Sequence, residues 1–329
     1  MKSFSDILVR ARVCEAAQER YCVRFEDGSE CDAEPAGVLR WSAELPAVCD
    51  WVRTRRADAS LALIEQVEPR VSSVSRKRPG GRGVQVLAAN VDLIVIVMGL
   101  DGDYNLSRLE RYLVLAKDSG VEAFVALNKM DLRGDWLARL RDVRTIADHA
   151  IAMSARESVA PIREAVRGRT AVLLGSSGAG KSTIMNALIG ETRQHTRPVR
   201  KSDSRGRHTT IGRMLVDLPD GGALIDTPGL RELALRAGQD AVDDVFAGIA
   251  ALTERCRFRN CSHAGEPGCA VAAAVQSGEL DTGRWANYQK LLAEARYHER
   301  TVDQRAAAES KRKWKAIHKA VRHHPKYTR

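Results

Sequence analysis

The order in which three short motifs occur constrains this chain more than anything else in it. Asn128-Lys129-Met130-Asp131 comes first, Gly175-Ser176-Ser177-Gly178-Ala179-Gly180-Lys181-Ser182 second, and Asp226-Thr227-Pro228-Gly229 third. Each follows an apolar run (Val121 to Leu127, Ala171 to Leu174, Ala223 to Ile225), so each is placed where a buried strand ends. A parallel sheet gathers its strand ends at one edge whatever the order in which the chain visits them. The motifs therefore predict a parallel sheet covered by helices and threaded in a rotated sequence.

The residue types say what that edge would hold. Residues 175–182 fit the phosphate-loop pattern between a strand and the helical stretch Ile184 to Ile189. Glycines let backbone N–H groups converge on phosphate oxygens, and the helix behind them adds its positive end. In such a loop Lys181 reaches the β- and γ-phosphates and Ser182 ligates Mg²⁺. Asp226 is placed to hold the same ion through water, and the Gly229 N–H to sense the γ-phosphate. Asp131 offers an acceptor carboxylate to the N1–H and 2-amino group of guanine, a donor pair that adenine lacks, so it should select GTP over ATP. Ser154-Ala155, after the next strand, supports the base from its other side. All the parts of a GTPase are present, but an ordinary one has the phosphate loop first and the guanine-reading motif last. This chain reads as circularly permuted.

Between the phosphate loop and Asp226 lies a polar segment, residues 195–212, containing His208-Thr209-Thr210. Either Thr209 or Thr210 could complete the Mg²⁺ shell when γ-phosphate is present, giving an order–disorder switch. Leu230 occupies the place where many small GTPases carry a water-orienting glutamine, and leucine cannot do that. His208 is the nearest candidate for positioning the water, the alternative being a solvent-facing loop histidine; slow intrinsic hydrolysis is expected until a partner orders the switch.

The flanks differ from this centre. Residues 1–72 alternate short apolar and polar stretches, such as Tyr21 to Phe25, with turn signals at Asp27-Gly28 and Glu34 to Gly37, and predict a small β-barrel compatible with nucleic-acid binding. Ser75 to Gly83, basic and glycine-rich, reads as a linker or mobile loop. Residues 73–240 make the α/β domain, with Arg213 to Val216 and Ala223 to Ile225 as a strand pair ending the sheet. Residues 241–329 are helical around a cysteine cluster, with Leu291, Leu292, Ala295 and His298 along one helix face. Cys256, Cys261, His263 and Cys269 place four borderline-soft ligands within fourteen residues, which suits one tetrahedral, structural Zn²⁺. The other four cysteines, Cys14, Cys22, Cys31 and Cys49, lack ligand spacing and read as small core residues.

Charge and length bound the rest. The net charge is +10, and residues 296–329 hold eleven Lys/Arg against three Asp/Glu, so most of the excess sits in the tail. A polyanionic partner, nucleic acid or acidic membrane, is implied. The aromatic within Lys311-Arg312-Lys313-Trp314-Lys315 favours RNA. No apolar run approaches the ~20 residues of a membrane helix and no signal-peptide region is evident, so a cytoplasmic protein without membrane association is expected.

A permuted GTPase between a β domain and a three-cysteine, one-histidine module resembles the ribosome small-subunit-dependent GTPase A (RsgA/YjeQ) family. The likeness is carried by Asn128, Lys129 and Asp131, by Gly175 to Thr183, by Gly206 to Thr210, by Asp226 to Gly229, and by the four zinc-ligand candidates. It implies an N-terminal OB-fold and a monomeric, late-acting assembly factor. That factor binds the small ribosomal subunit and its rRNA, and the subunit stimulates GTP hydrolysis and then release of the factor. Two rivals share parts of the pattern. A permuted GTPase of the large subunit would share the three motifs but would not be expected to carry the zinc cluster. A non-hydrolysing RNA-binding scaffold would not need an intact Lys181, Ser182 and Asp226.

Overall fold

The computed structural model describes residues 7–17, 20–40, 45–58, 60–77, 84–190, 213–226 and 237–300. The first five strands are β1 (Val9–Ala17), β2 (Arg20–Phe25), β3 (Glu30–Pro35), β4 (Trp51–Arg56) and β5 (Leu61–Val67), with the short helix α1 (Gly37–Arg40) after β3. They pair in the order β1-β2-β3-β5-β4, and β4 returns to β1, so the sheet closes into a barrel of the OB type. Alternation does the sorting: Ala62 and Ile64 on β5, Ala11 and Val13 on β1, Val23 and Val52 point inward and are completely buried. Small residues suffice because five strands enclose little volume.

A separate two-stranded ribbon follows, β6 (Ser73–Lys77) against β7 (Val84–Ala89). Ser75, Arg76 and Lys77 thus lie in a paired strand and not in the expected linker; residues 78–83 lie outside the described part. The strand was hidden because only Val74 among its members is an apolar core residue, while Arg76 donates to Gln85 across the ribbon at 3.2 Å.

The α/β domain runs β8 (Leu93–Gly99), α2 (Leu106–Asp118), β9 (Glu122–Asn128), α3 (Trp136–Arg144), β10 (Ala150–Ala152), α4 (Ala160–Val166), β11 (Thr170–Leu174), α5 (Lys181–Ile189), β12 (Arg213–Asp217) and β13 (Ala223–Asp226). The strand order is β10-β9-β8-β11-β13-β12, parallel throughout except that β12 runs against β13. Every residue of β8 and β11 is buried, as expected of central strands with both faces covered. α2 starts on Asn105, whose side chain accepts the Arg108 N–H at 2.9 Å, and lays Leu109, Tyr112, Leu113 and Ala116 on its buried side.

The pair β12/β13 does not end the sheet. β12 hydrogen-bonds on its far side to β1 of the barrel, with Glu15 opposite Met214 and Ala16 opposite Arg213, so barrel and α/β sheet form one eleven-stranded sheet. Arg24 Nη1 to Asp217 Oδ2 at 2.7 Å and Arg12 Nη2 to Thr170 Oγ1 at 2.8 Å tie the same junction. The apolar pattern of β12 cannot reveal this, because any open strand edge can accept a neighbour.

The chain divides into two compact units, Met1–Ala234 and Leu235–Arg329. The second holds α6 (Gln239–Val245), α7 (Ala247–Glu254), α8 (Ala270–Ser277) and a helix over residues 282–300, here α9. Its core is Phe246, Ile249, Val271, Tyr288, Leu291 and Ala295, with the Phe246 and Tyr288 rings 5.4 Å apart. Leu292 and His298 are only half-buried.

Candidate functional site

The ends of β9, β10 and β11 bring the first two motifs together. Asn128, the last residue of β9 and only 3% exposed, joins them: its Nδ2 donates to the Ala179 carbonyl at 2.9 Å, and its Oδ1 accepts the Ala155 N–H at 2.9 Å. One side chain therefore holds the phosphate loop and the segment after β10 at once. Lys129 adopts the left-handed region, φ 65°, which turns the chain so that the Met130 N–H reaches the Met153 carbonyl at 3.1 Å.

The loop of residues 175–180 accepts only glycine at two places. Gly180 has φ +106°, and a Cβ there would stand 2.1 Å from Asn128 Nδ2; at Gly175, φ +146°, it would stand 2.1 Å from the Val97 carbonyl oxygen. The glycines therefore allow close approach as well as positive φ. Lys181 Nζ rests on the Gly175 and Ser176 carbonyls at 2.6 and 2.5 Å. Ser182 and Thr183 are exposed in the first turn of α5, whose leading N–H groups have no helical partners.

A cavity of about 300 Å³ opens between these segments, lined by Asn128, Lys129, Asp131, Leu132, Ser154, Ala155, Arg156, Gly178, Gly180 and Thr183. Asp131 is exposed to it, and Ser154 Oγ is buried without a hydrogen-bond partner. A buried orphan hydroxyl beside a cavity is what a polar ligand would satisfy. Asp226 ends β13, with its backbone paired to Met214. His208, Thr209, Thr210 and Gly229 lie outside the described residues.

Two carboxylates that sequence reasoning passed over stand behind this cavity, on the loop after β8. Asp101 Oδ2 pairs with Lys129 Nζ at 2.6 Å. Asp103 accepts from Ser176 Oγ at 2.5 Å, from the Gly99 N–H at 3.1 Å and from Arg108 Nη2 at 2.5 Å. The hydrogen bond from Lys129 holds the Asp101 carboxyl below its usual range. The available signal was their position: acidic residues just past an apolar strand of a parallel sheet fall on its ligand-binding edge.

In the second unit, one ligand atom from each of Cys256, Cys261, His263 and Cys269 lies within 4.8 Å of all the others. Cys256 Sγ is 3.5 Å from His263 Nδ1 and 3.9 Å from Cys269 Sγ. His263 has φ 60°, and Cys269 caps α8, its Sγ accepting the Ala272 N–H at 3.3 Å. Glu266 ties the turn by accepting the Ser262 and Ala264 N–H groups at 2.7 and 2.9 Å. Burial works against the Cys256 thiolate, but the Val271 and Ala270 N–H groups and the neighbouring thiols bring its pKa below the usual value. Three sulfurs and one imidazole nitrogen at this closeness fit a single tetrahedral zinc.

A parallel sheet threaded from the strand ending in Asn128 to the phosphate-loop strand, with a cavity at their shared edge, defines a circularly permuted GTPase. A model of the RsgA GTPase family matches residues 67–236, and the chain belongs to that family. The small ribosomal subunit biogenesis GTPase RsgA of Opitutus terrae is 45% identical over 321 residues, 92% of this chain and 88% of that protein. The protein of the same name from Leptospira interrogans is 40% identical over 295 residues, 87% and 82% of the two. Among solved structures, YjeQ from Thermotoga maritima superposes with a TM-score of 0.65 at 25% identity, covering 88% of this chain and 99% of that one. YloQ, described as a circularly permuted GTPase, gives 0.63 at 24%, covering 90% and 98%.

Proposed function

We propose that this protein is a GTP-hydrolysing factor of late small-subunit maturation, that the small ribosomal subunit and its rRNA stimulate its hydrolysis, and that hydrolysis releases it. The observation that carries the catalytic half is the double hydrogen bond of Asn128, which puts the guanine-reading and phosphate-holding segments at one cavity. The biological half rests on the relatives, whose names place them in biogenesis of that subunit.

In this reading guanine enters the cavity with its N1–H and 2-amino group on Asp131, beside Ser154 and Ala155, and Lys129 and Met130 complete the motif. The phosphates lie along Gly175, Ser176, Ser177, Gly178, Ala179 and Gly180. Lys181 leaves its two carbonyls for the β- and γ-oxygens, and the exposed start of α5, with Ser182 and Thr183, faces the same charge. Magnesium would be held by Ser182 and Asp226, with Thr209 or Thr210 completing the shell, and would neutralise charge on the phosphates. His208 positions the attacking water, and Gly229 senses the γ-phosphate. One zinc on Cys256, Cys261, His263 and Cys269 fixes the fold around the cluster and has no role in hydrolysis. Residues 1–72 and 241–329 serve as RNA-contacting flanks of the GTPase domain, 73–240, in a monomeric cytoplasmic protein. No helix among the described residues is long and apolar enough to cross a membrane.

GTP turnover with isolated small subunits, large subunits and no ribosome tests the whole. Stimulation by small subunits alone is expected. Stimulation by large subunits would transfer the protein to the other particle, no turnover in any tube would leave a non-hydrolysing RNA-binding scaffold, and equal rates in all three would defeat the reading. His208→Ala should abolish most of the stimulated increment; unchanged stimulated turnover would remove His208 from the mechanism.

A further inference from the structure

We propose that Asp101 and Asp103 are positioning residues of the nucleotide site, locking the base-reading and phosphate-holding segments together from behind. The inference rests on the reading of the cavity as a guanine site.

The loop 100–105 leaves β8, the strand between β9 and β11, and touches the product of each neighbour. Toward β9, Asp101 takes the ammonium of Lys129. Toward β11, Asp103 takes the hydroxyl of Ser176, the second residue of the phosphate loop. Asp103 is itself fixed, by the Gly99 N–H at the strand end and by Arg108 on the first turn of α2. Leu100 N–H donates to the Asn128 carbonyl at 2.8 Å, and Arg139 Nη1 donates to the Leu100 carbonyl at 3.2 Å, so the loop is held from α3 as well. Asp101 carboxylate and Lys129 ammonium are 36% and 27% exposed, enough shielding for the pair to keep part of its strength.

The placement explains what the pair does. Lys129 lines the cavity and Asp101 does not. Anchoring the ammonium on Asp101 lays the four-carbon stem of Lys129 along the wall, an apolar face for a purine ring, while the charge stays out of the way of Asp131. Without that anchor the ammonium is free to seek the nearest other acceptor, and on the same short segment it would compete with the base for the Asp131 carboxylate. Asp103 does the matching task for the phosphate loop, whose first half has no helix to stiffen it. Both contributions are made before the nucleotide arrives, so they reduce the ordering that binding demands.

The test is release of a fluorescent GDP analogue from the full-length protein, with GTP turnover on small subunits as the second readout. Asp101→Asn removes the charge and keeps the shape; losing a partly shielded pair should speed release about fivefold. The loss should fall on KM, and Asp101→Glu should restore most of it. Ser176→Ala should reproduce part of the effect of Asp103→Ala, which also releases the Gly99 N–H and Arg108, and the double variant should be no worse than Asp103→Ala alone, as partners in one contact require. Asp220→Asn, which removes the Arg163 pair elsewhere on the domain, is the control for a charge change alone. If wild type binds GDP while release from Asp101→Asn and Asp103→Ala is unchanged, the positioning role is wrong. Wild-type protein that binds no guanine nucleotide would instead overturn the site reading on which it rests.

Discussion

Asn128 and Asp131 lie three positions apart and do opposite kinds of work. The amide is buried and satisfied twice over by the protein, so Asn128→Ala strands an N–H and a carbonyl and should cost about 1–3 kcal/mol in chemical denaturation, along with nucleotide binding. The carboxylate is exposed, so Asp131→Asn should leave the denaturation midpoint unchanged. What it should change is choice: an amide donates where the carboxylate only accepts, so competition binding should shift toward a base with a carbonyl at C2. A pH series probes a third residue. Asp101 titrates below the usual carboxylate range, so its grip on Lys129 is present above about pH 4 and fades only as pH falls through that depressed value. GDP release from wild type should therefore be flat in this respect from neutrality down to about pH 5. The place of Asn128 and Asp131 at a strand end was legible because the motif sits just past an apolar run; the double hydrogen bond of Asn128 was not, since its partners come from two other segments. Asp101 and Asp103 were not, since their partners stand 28 and 73 positions away and no local spacing announces either contact.

Among elements, the turn between α7 and α8 depends most on something beyond its own residues. It places Cys256, Arg257, Phe258, Arg259 and Asn260 in succession with the last four exposed, and little apolar surface holds it. Zinc should therefore carry its stability. Thiol titration checks this: chelation should release Cys256, Cys261 and Cys269 to a disulfide reagent. The barrel thiols Cys14, Cys22 and Cys49 should stay silent until the protein is denatured; burial raises the Cys49 pKa to about 12, and a hydrogen bond with Cys22, then burial, raises that of Cys14. The Cys/His cluster could be read from the sequence because its four residues crowd into one short segment. The adjacency of Cys14 and Cys22 could not, since it arises across a strand pair, where Cys14 Sγ donates to the Cys22 carbonyl at 3.3 Å. The ribbon strand β6, with Val74 as its one apolar core residue, carries no such local signal, whereas β8 and β11 are continuous apolar runs.

At the scale of the molecule, the rotated motif order was enough to give the sheet its strand contents, because a parallel core tolerates any order of entry. The seam between barrel and core was beyond sequence reasoning: Glu15 and Ala16 meet Met214 and Arg213 through backbone groups that every residue possesses. Hydrogen exchange should find the amides of this seam protected together with those of β13. The seam also limits how the protein can be cut down. A fragment beginning at residue 73 would retain β12 and strip away the strand that covers it, leaving a row of unpaired backbone donors and acceptors open to any passing chain. Such a fragment should scatter light and self-associate where the intact protein does not, so for this fold the barrel serves its neighbour as a selvage, the finished border that keeps a woven edge from fraying.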